Sequence, residues 1–161
     1  DCKDLLLHWG GHPMAVGLSI DESHLEEFTN RLINAVDKQI GKTIREPVFE
    51  IDTFIKQTEL NHKLLEEVEL LAPFGQANPE PIFGIEKIRL YGKPRKVGTG
   101  HFQFSIHNGE EAVSGIAWRM VENIPPEDID LDIAVRLQWN NWNQRKNLQM
   151  VLESWRIHKA Q

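Results

Sequence analysis

The spacing of hydrophobic residues changes along the chain, from a helical period in the first half to short runs in the second. Apolar residues recur every three or four positions in residues 22–40, which predicts an amphipathic helix ended by Gly41. The same spacing in 58–71 predicts a second helix ended by Pro73. Its apolar side would consist of Leu60, Leu64, Leu65, Val68 and Leu71.

Three shorter segments in the first half follow other patterns. Leu5 to Leu7, followed by Gly10-Gly11, are typical of the end of a helix. The apolar run at 15–20 predicts a short strand. Residues 48–55 alternate, so we expect a strand there with Phe49, Ile51 and Ile55 on one face.

The second half is a series of alternating segments separated by turns. We predict strands at 82–91, 101–107, 111–118, 131–140 and 147–157. Five strands with short polar connections favour a small closed barrel. Its interior should contain Phe102, Phe104 and Ile106, together with Trp118 and Trp155.

Charge is distributed unevenly between the two halves. The whole chain has a net charge of −6, but residues 1–81 account for −8 and residues 82–161 for +2. The segment 87–109 contains five basic residues and no acid, and 133–152 is also free of acids. Such asymmetry fits a local binding surface for an anion, and equally a solvated strand face.

Composition excludes several classes of protein. The single cysteine, Cys2, excludes an internal disulfide and a multi-cysteine metal site, and fits a reducing cytoplasm. No apolar run approaches the roughly 18 residues of a membrane span, so we expect no membrane association. His8 and His12 are four residues apart, but the two glycines between them disfavour a helical metal pair.

The segment from Gly10 to Gly17 is the most distinctive local motif. Consecutive glycines allow a ligand to approach the backbone closely, and His12 could add a hydrogen-bond donor for a phosphate. A tight turn with a surface histidine fits the same residues. The motif alone leaves both interpretations open.

Several segments resemble RecJ-type exonucleases of the DHH superfamily. Leu5 to Leu18, with its glycine–glycine–histidine core, is similar to the DHH-associated domain of that family. Leu71 to Phe83, containing Pro73-Phe74-Gly75 and Asn78-Pro79-Glu80-Pro81, is similar to the segment that enters the RecJ OB domain. Gly100–Trp118 and Asn141–Met150 resemble the hairpins that follow. The order and separation of the segments also match.

The resemblance implies an α+β fold and a division into two parts. Residues 1–44 would be the C-terminal part of the DHH-associated domain. Residues 45–161 would form a connecting strand and helix plus a five-stranded OB-like barrel. The intact enzyme would be a cytoplasmic, 5′-to-3′ single-stranded-DNA exonuclease of DNA repair and recombination, using manganese or magnesium. We expect this chain to contain no metal site or catalytic residue, and to be inactive alone.

The resemblance also assigns binding roles. Gly10, Gly11 and His12 would bind the substrate phosphate. OB domains bind single strands through a basic groove and aromatic faces on which bases stack. The candidates for that role are Arg89, Lys93, Arg95, Lys96, Trp139, Trp142, Arg145 and Lys146. Other partners of the intact protein would be single-strand binding protein or a RecQ-type helicase.

Three alternatives share some of these features. A non-catalytic scaffold of the DHH superfamily would have the same motifs without upstream metal residues. A phosphodiesterase for short RNA or cyclic dinucleotides would share the histidine segment, but would not require a barrel after residue 82. A protein-docking module would explain the acidic first half.

Overall fold

A computed structural model describes residues 1–41, 48–142 and 145–159. The chain forms two compact units, residues 1–47 and 48–161. The predicted boundary between residues 44 and 45 lies outside the described residues. It therefore stays a prediction.

The first unit contains a β-hairpin and a helix. Strand β1 (Leu6–His12) pairs antiparallel with β2 (Ala15–Ile20), and helix α1 spans Leu25–Ile40. The prediction of a helical end at Leu5 to Leu7 is correct in part: a short 3-10 helix (Lys3–Leu5) ends at Leu5, and Leu6 then pairs with Ile20 of β2. The helix itself is confirmed, and Gly41 ends it with a φ of 74°, a value that favours glycine.

Among its described residues, the second unit contains one α-helix, a short 3-10 helix (Gln57–Glu59) and a seven-stranded sheet. Helix α2 spans His62–Glu69. The strands are β3 (Thr53–Phe54), β4 (Phe83–Ile88), β5 (Arg95–Val97), β6 (His101–His107), β7 (Ala112–Ala117), β8 (Leu131–Trp142) and β9 (Arg145–Ile157). Their order in the sheet is β3-β4-β8-β9-β7-β6-β5, with β3–β4 and β7–β9 parallel and the other pairs antiparallel.

Beyond the named strands, the chain after β4 also contacts β6. Leu90 forms an isolated bridge with Ile106, and the Tyr91 amide donates to the Ser105 carbonyl oxygen at 2.7 Å. Residues 90 and 91, which follow β4, thus lie along the same edge of β6 with which β5 pairs. The mixed α+β class is confirmed, whereas the five-stranded barrel stays a prediction.

The core lies between α2 and the inner face of the sheet. The inward positions of β6, Phe102, Phe104 and Ile106, are buried as predicted. Leu65 of α2 and Leu60, which precedes this helix, pack into the same hydrophobic cluster. Alternation on β6 and helical spacing on α2 therefore both converge on one hydrophobic core.

Four expectations about this unit are wrong in part. Only Thr53–Phe54 of the segment 48–55 is a strand, and Phe49 is 42% exposed. Leu71 is exposed because α2 ends before it. Trp118 is 53% exposed, since Ala117 takes the last inward position of β7 and the next residue points outward. Trp155 is only half-buried against the core.

Candidate nucleic-acid interface

A two-residue turn places the glycine–histidine segment on one hairpin. Gly10 lies opposite Gly17, and Gly11 opposite Val16. Among the described atoms, nothing lies within 4 Å of a Cβ position at Gly10 or Gly17, but a Cβ at Gly11 would lie 2.3 Å from the Ala15 carbonyl oxygen. Gly11 is therefore required by the hairpin itself. Gly10 and Gly17 leave backbone that a ligand could approach.

The His12 ring is held by a local hydrogen bond. The Met14 amide donates to His12 Nδ1 at 3.2 Å, and the side chain is exposed. In the neutral ring the proton then lies on Nε2, which can donate to an anion. The structure thus places Gly10, Gly11 and His12 in sequence at the end of β1, while their binding role stays a prediction.

Acidic residues distant in sequence neutralise part of the basic segment 87–97. Arg89 forms an ion pair with Asp130, and Lys93 Nζ lies 3.5 Å from Glu127 Oε1. The hydrogen bond from Arg89 lowers the pKa of Asp130, and the same bond raises the pKa of Arg89. Two of the predicted cations are therefore already paired, which the acid-free sequence did not indicate.

Arg95 and Lys96 differ from these paired cations. Both are exposed on β5, which forms one edge of the seven-stranded sheet. Arg95 donates to the neutral Gln103 side chain at 2.7 Å. Within residues 1–41, 48–142 and 145–159, neither side chain forms an ion pair with a carboxylate. They form a small positive edge that is available to a phosphate backbone.

Trp139 lies on β8, within the strand predicted at 131–140. Its ring packs against the core and meets His62 edge-on at 5.3 Å between centroids. Trp139 Nε1 donates to Glu69 Oε1 at 2.8 Å, and Lys146 Nζ lies 4.1 Å from the ring centroid. One face of this tryptophan is thus occupied by Lys146. A base could stack there only by displacing the ammonium group.

The remaining two candidates, Trp142 and Arg145, have side chains that lie outside the described residues. Sequence reasoning also missed two residues that line a cavity beside Arg89. Lys87 and His107 belong to this cavity together with Tyr91. The signal for Lys87 was the alternation across the end of β4, in which Ile88 and Leu90 pack toward the core and residues 87, 89 and 91 occupy the intervening positions. His107 is the exposed last residue of β6.

Metal ligands and membrane-spanning helices are absent from the part of the chain that the structure describes. No group of three or more His, Cys, Asp or Glu side chains there could bind a metal ion. Across the same residues, no helix is both long and apolar enough to cross a bilayer.

The family is decided by a comparison with known protein domains. Residues 51–154 match the model of the RecJ OB domain. The chain belongs to the RecJ OB-domain family. The resemblance inferred from the sequence motifs is thereby confirmed.

Two curated proteins similar to the chain are both named single-stranded-DNA-specific exonuclease RecJ. The one from Thermus thermophilus is 33% identical over 146 residues, which cover 88% of this chain and 20% of that protein. The one from Bacillus subtilis is 28% identical over 158 residues, which cover 95% of this chain and 20% of that protein. The chain thus spans about a fifth of the length of these relatives.

A solved structure agrees with these relatives. The crystal structure of RecJ in complex with Mn²⁺ from Thermus thermophilus superimposes with a TM-score of 0.69 and 26% sequence identity. The match covers 99% of this chain and 23% of that protein. Both the sequence and the fold therefore place the chain among RecJ proteins.

Proposed function

We propose that the second unit binds single-stranded DNA on behalf of a RecJ-type exonuclease. The observation that carries this proposal is the exposed positive edge formed by Arg95 and Lys96 on a RecJ OB domain. A single strand has phosphates at regular intervals, and unpaired cations at a sheet edge attract them without competing carboxylates. The relatives from Bacillus subtilis and Thermus thermophilus are named single-stranded-DNA-specific exonucleases, which supports the same ligand.

The arrangement of the strands supports an OB-like barrel as the scaffold of this surface. The Leu90–Ile106 bridge and the Tyr91–Ser105 hydrogen bond join the end of β4 to β6. If these contacts extend into a continuous ladder, five strands close in the order β4-β8-β9-β7-β6. The segment between β4 and β6, which contains Arg95 and Lys96, would then be the first loop of the barrel, a loop that commonly contacts oligonucleotides.

The hairpin of the first unit would contribute a phosphate site. In this proposal Gly10 and Gly11 supply accessible backbone and His12 Nε2 supplies a hydrogen-bond donor. The exposed ring and the Nδ1 contact from Met14 support the assignment. Titration with inorganic phosphate should shift the ring resonances of His12 more than those of the exposed His8. Equal shifts at the two rings would contradict it.

The activity of the whole protein is a wider proposal that rests on the RecJ family. The intact protein would degrade single-stranded DNA from the 5′ end during repair and recombination in the cytoplasm. Manganese or magnesium would be held by residues outside this chain, which alone would not hydrolyse DNA. Single-strand binding protein or a RecQ-type helicase would be further partners. Residues 1–44 would belong to the DHH-associated domain and 45–161 to the OB part.

Fluorescence anisotropy with a labelled oligothymidylate of about 16 nucleotides tests single-strand binding. We expect binding that weakens between about 50 and 200 mM salt. Replacing Arg95→Glu or Lys96→Glu should weaken binding and reduce the salt slope by about 0.7 for each lost phosphate contact. Lys63→Glu is the matched control, because it makes the same charge change on α2, away from β5.

Two results would count against single-strand binding. A wild-type chain that binds no oligonucleotide at low salt would favour a protein-docking role for the second unit. Equal losses in Lys96→Glu and Lys63→Glu would show a general charge effect, without a specific contact at β5.

A further inference from the structure

A cavity beside the end of β4 combines aromatic and basic side chains. It has a volume of about 460 Å³ and is lined by Gln57, Lys87, Arg89, Leu90, Tyr91, His107 and Asp130. This volume lies within the range of about 300–1,000 Å³ that small-molecule sites occupy. All of its residues belong to the second unit.

Tyr91 and His107 form the aromatic part of this cavity. Their ring centroids lie 5.5 Å apart with an interplanar angle of 58°, and Tyr91 is 61% exposed. The hydrogen bond from the Tyr91 amide to Ser105 fixes the backbone beneath the tyrosine. His107 Nδ1 accepts from the Gly109 amide at 3.1 Å, so the neutral ring presents an Nε2 donor. A flat ligand can stack on the exposed ring and meet a polar edge.

Lys87 belongs to the cavity because of a strained bulge. The register of β4 against β8 shifts between Ile85 and Ile88, and Lys87 has a φ of 53°. This left-handed conformation is unfavourable for a residue with a Cβ, such as lysine. The Lys87 amide donates to the buried Asp132 carboxylate at 3.1 Å, which holds the bulge. Bulges and strained residues often re-aim a side chain at a functional site.

Arg89 provides the second cation of the cavity. Its Nε donates to Asp130, which orients the guanidinium plane. Among contacts with the described residues, Nη1 and Nη2 form no hydrogen bond. Those two nitrogens retain donors in the fork geometry that suits a phosphate. The cavity therefore offers a stacking ring, the cation of Lys87 and the outer nitrogens of Arg89, whose charge the lining carboxylate of Asp130 partly offsets.

We infer that this cavity binds one nucleotide unit, with the base on Tyr91 and the phosphate on Lys87 and Arg89. The inference deepens the proposed function and rests on it. The ligand chemistry is that of a nucleotide, whose source is either an internal unit of a bound single strand or a free mononucleotide. Tyr91 and Arg95 both follow the β6 edge, opposite Ser105 and Gln103, so one strand could contact both.

The test separates stacking from charge by using the same labelled oligothymidylate. Tyr91→Ala should raise the Kd about five- to hundredfold and leave the salt slope unchanged. Tyr91→Phe retains the ring face and should bind like the wild type. Lys87→Gln should reduce the salt slope by about 0.7, whereas Lys63→Gln on α2 should not. Thermal melting of each variant identifies any loss that comes from unfolding.

Thymidine 5′-monophosphate distinguishes the two sources of the nucleotide. Saturable NMR shifts of His107 with this mononucleotide would support a site for free nucleotides. Shifts of His107 with the oligonucleotide alone, together with the loss in Tyr91→Ala, would support a unit of a bound strand. Normal binding by Tyr91→Ala, with no shift of His107 by either ligand, would overturn the cavity inference and leave strand binding intact. A folded wild-type chain that binds no oligonucleotide would instead overturn the proposed function.

Discussion

The carboxylate of Asp132 should contribute strongly to the stability of the second unit. It is buried, and it accepts hydrogen bonds from the Lys87 amide, from Arg156 Nε at 2.9 Å and from His158 Nδ1 at 2.6 Å. Asp132 lies opposite Arg156 in the β8–β9 ladder. This one side chain therefore joins the β4 bulge to the last strand. Replacing it with alanine would remove all three contacts at once.

The structure sets the expected size of this loss. A hydrogen bond to a charged group contributes about 1.5–3 kcal/mol when it is shielded, as for the Lys87 amide. The Arg156 side chain is 73% exposed, so its pair adds only about 0–1 kcal/mol. We expect Asp132→Ala to lower the free energy of unfolding by about 2–4 kcal/mol. At roughly 4 °C per kcal/mol for a unit of this size, the Tm would fall by roughly 8–16 °C.

The stabilisation provided by the Asp132 carboxylate should decrease as the pH falls. Burial raises the pKa of Asp132, but hydrogen bonds from His158, Arg156 and the Lys87 amide outweigh burial and hold the pKa below its ordinary value. A carboxyl whose folded-state pKa is lowered stabilises the fold above the ordinary value of about 3.9. This stabilisation is lost as pH falls through the folded-state pKa. The stability difference between wild type and Asp132→Ala should therefore shrink below about pH 4.

Thermal and urea unfolding at several pH values would measure this difference. Asp130→Ala is the control, since it removes a carboxylate two residues away that pairs only at the surface. Two results would refute the reasoning. One is an equal loss of stability in both variants at neutral pH. The other is a difference for Asp132→Ala that stays constant from pH 7 to pH 3.

Two glycine pairs give further tests by thermal unfolding and NMR. Gly115→Ala should cost about 1–3 kcal/mol, because its Cβ would lie 2.2 Å from the Phe104 ring. Gly75→Ala has open space and should change the Tm little, so equal Tm values would contradict this packing argument. In the first unit, Gly11→Ala should disrupt the hairpin whereas Gly10→Ala should not, as amide shifts of the two strands would show. An intact hairpin in Gly11→Ala would contradict the argument that a Cβ at this position clashes with the Ala15 carbonyl oxygen.

Periodic patterns were sufficient for the elements whose apolar residues share one face, whether that face is buried, as on β6, or exposed, as on α1. The alternation of Phe102, Phe104 and Ile106 predicted both the strand and its inward side. The helical spacing at 22–40 predicted α1, and the cap at Gly41 followed from local backbone chemistry. These features depend on residues close in sequence, so a sequence pattern contains them.

The predictions that failed concern features that depend on pairing between residues distant in sequence. Leu5 to Leu7 are too few to show where a helix gives way to a strand, and pairing of Leu6 with β2 sets that point. Strand β5 has only three residues and is basic, so it lacks a hydrophobic pattern and exists because β6 offers an edge. Likewise, the pairing of Arg89 with Asp130 spans 41 positions. The sequence thus predicted that the candidate site is a basic segment, but it could not show which of the cations in that segment remain unpaired.

Asp132 also connects the stability of the second unit to its proposed ligand, because it holds the Lys87 bulge. Removing a negative charge near a phosphate site would by itself strengthen binding of DNA. If Asp132 acts by positioning Lys87, Asp132→Ala, which removes the acceptor of the Lys87 amide, should instead weaken oligonucleotide binding. The loss should disappear in a Lys87→Gln background, giving a coupling energy of about 0.5 kcal/mol or more in a double-mutant cycle. Tighter binding by folded Asp132→Ala, or full additivity of the two changes, would show that the bulge serves the fold alone.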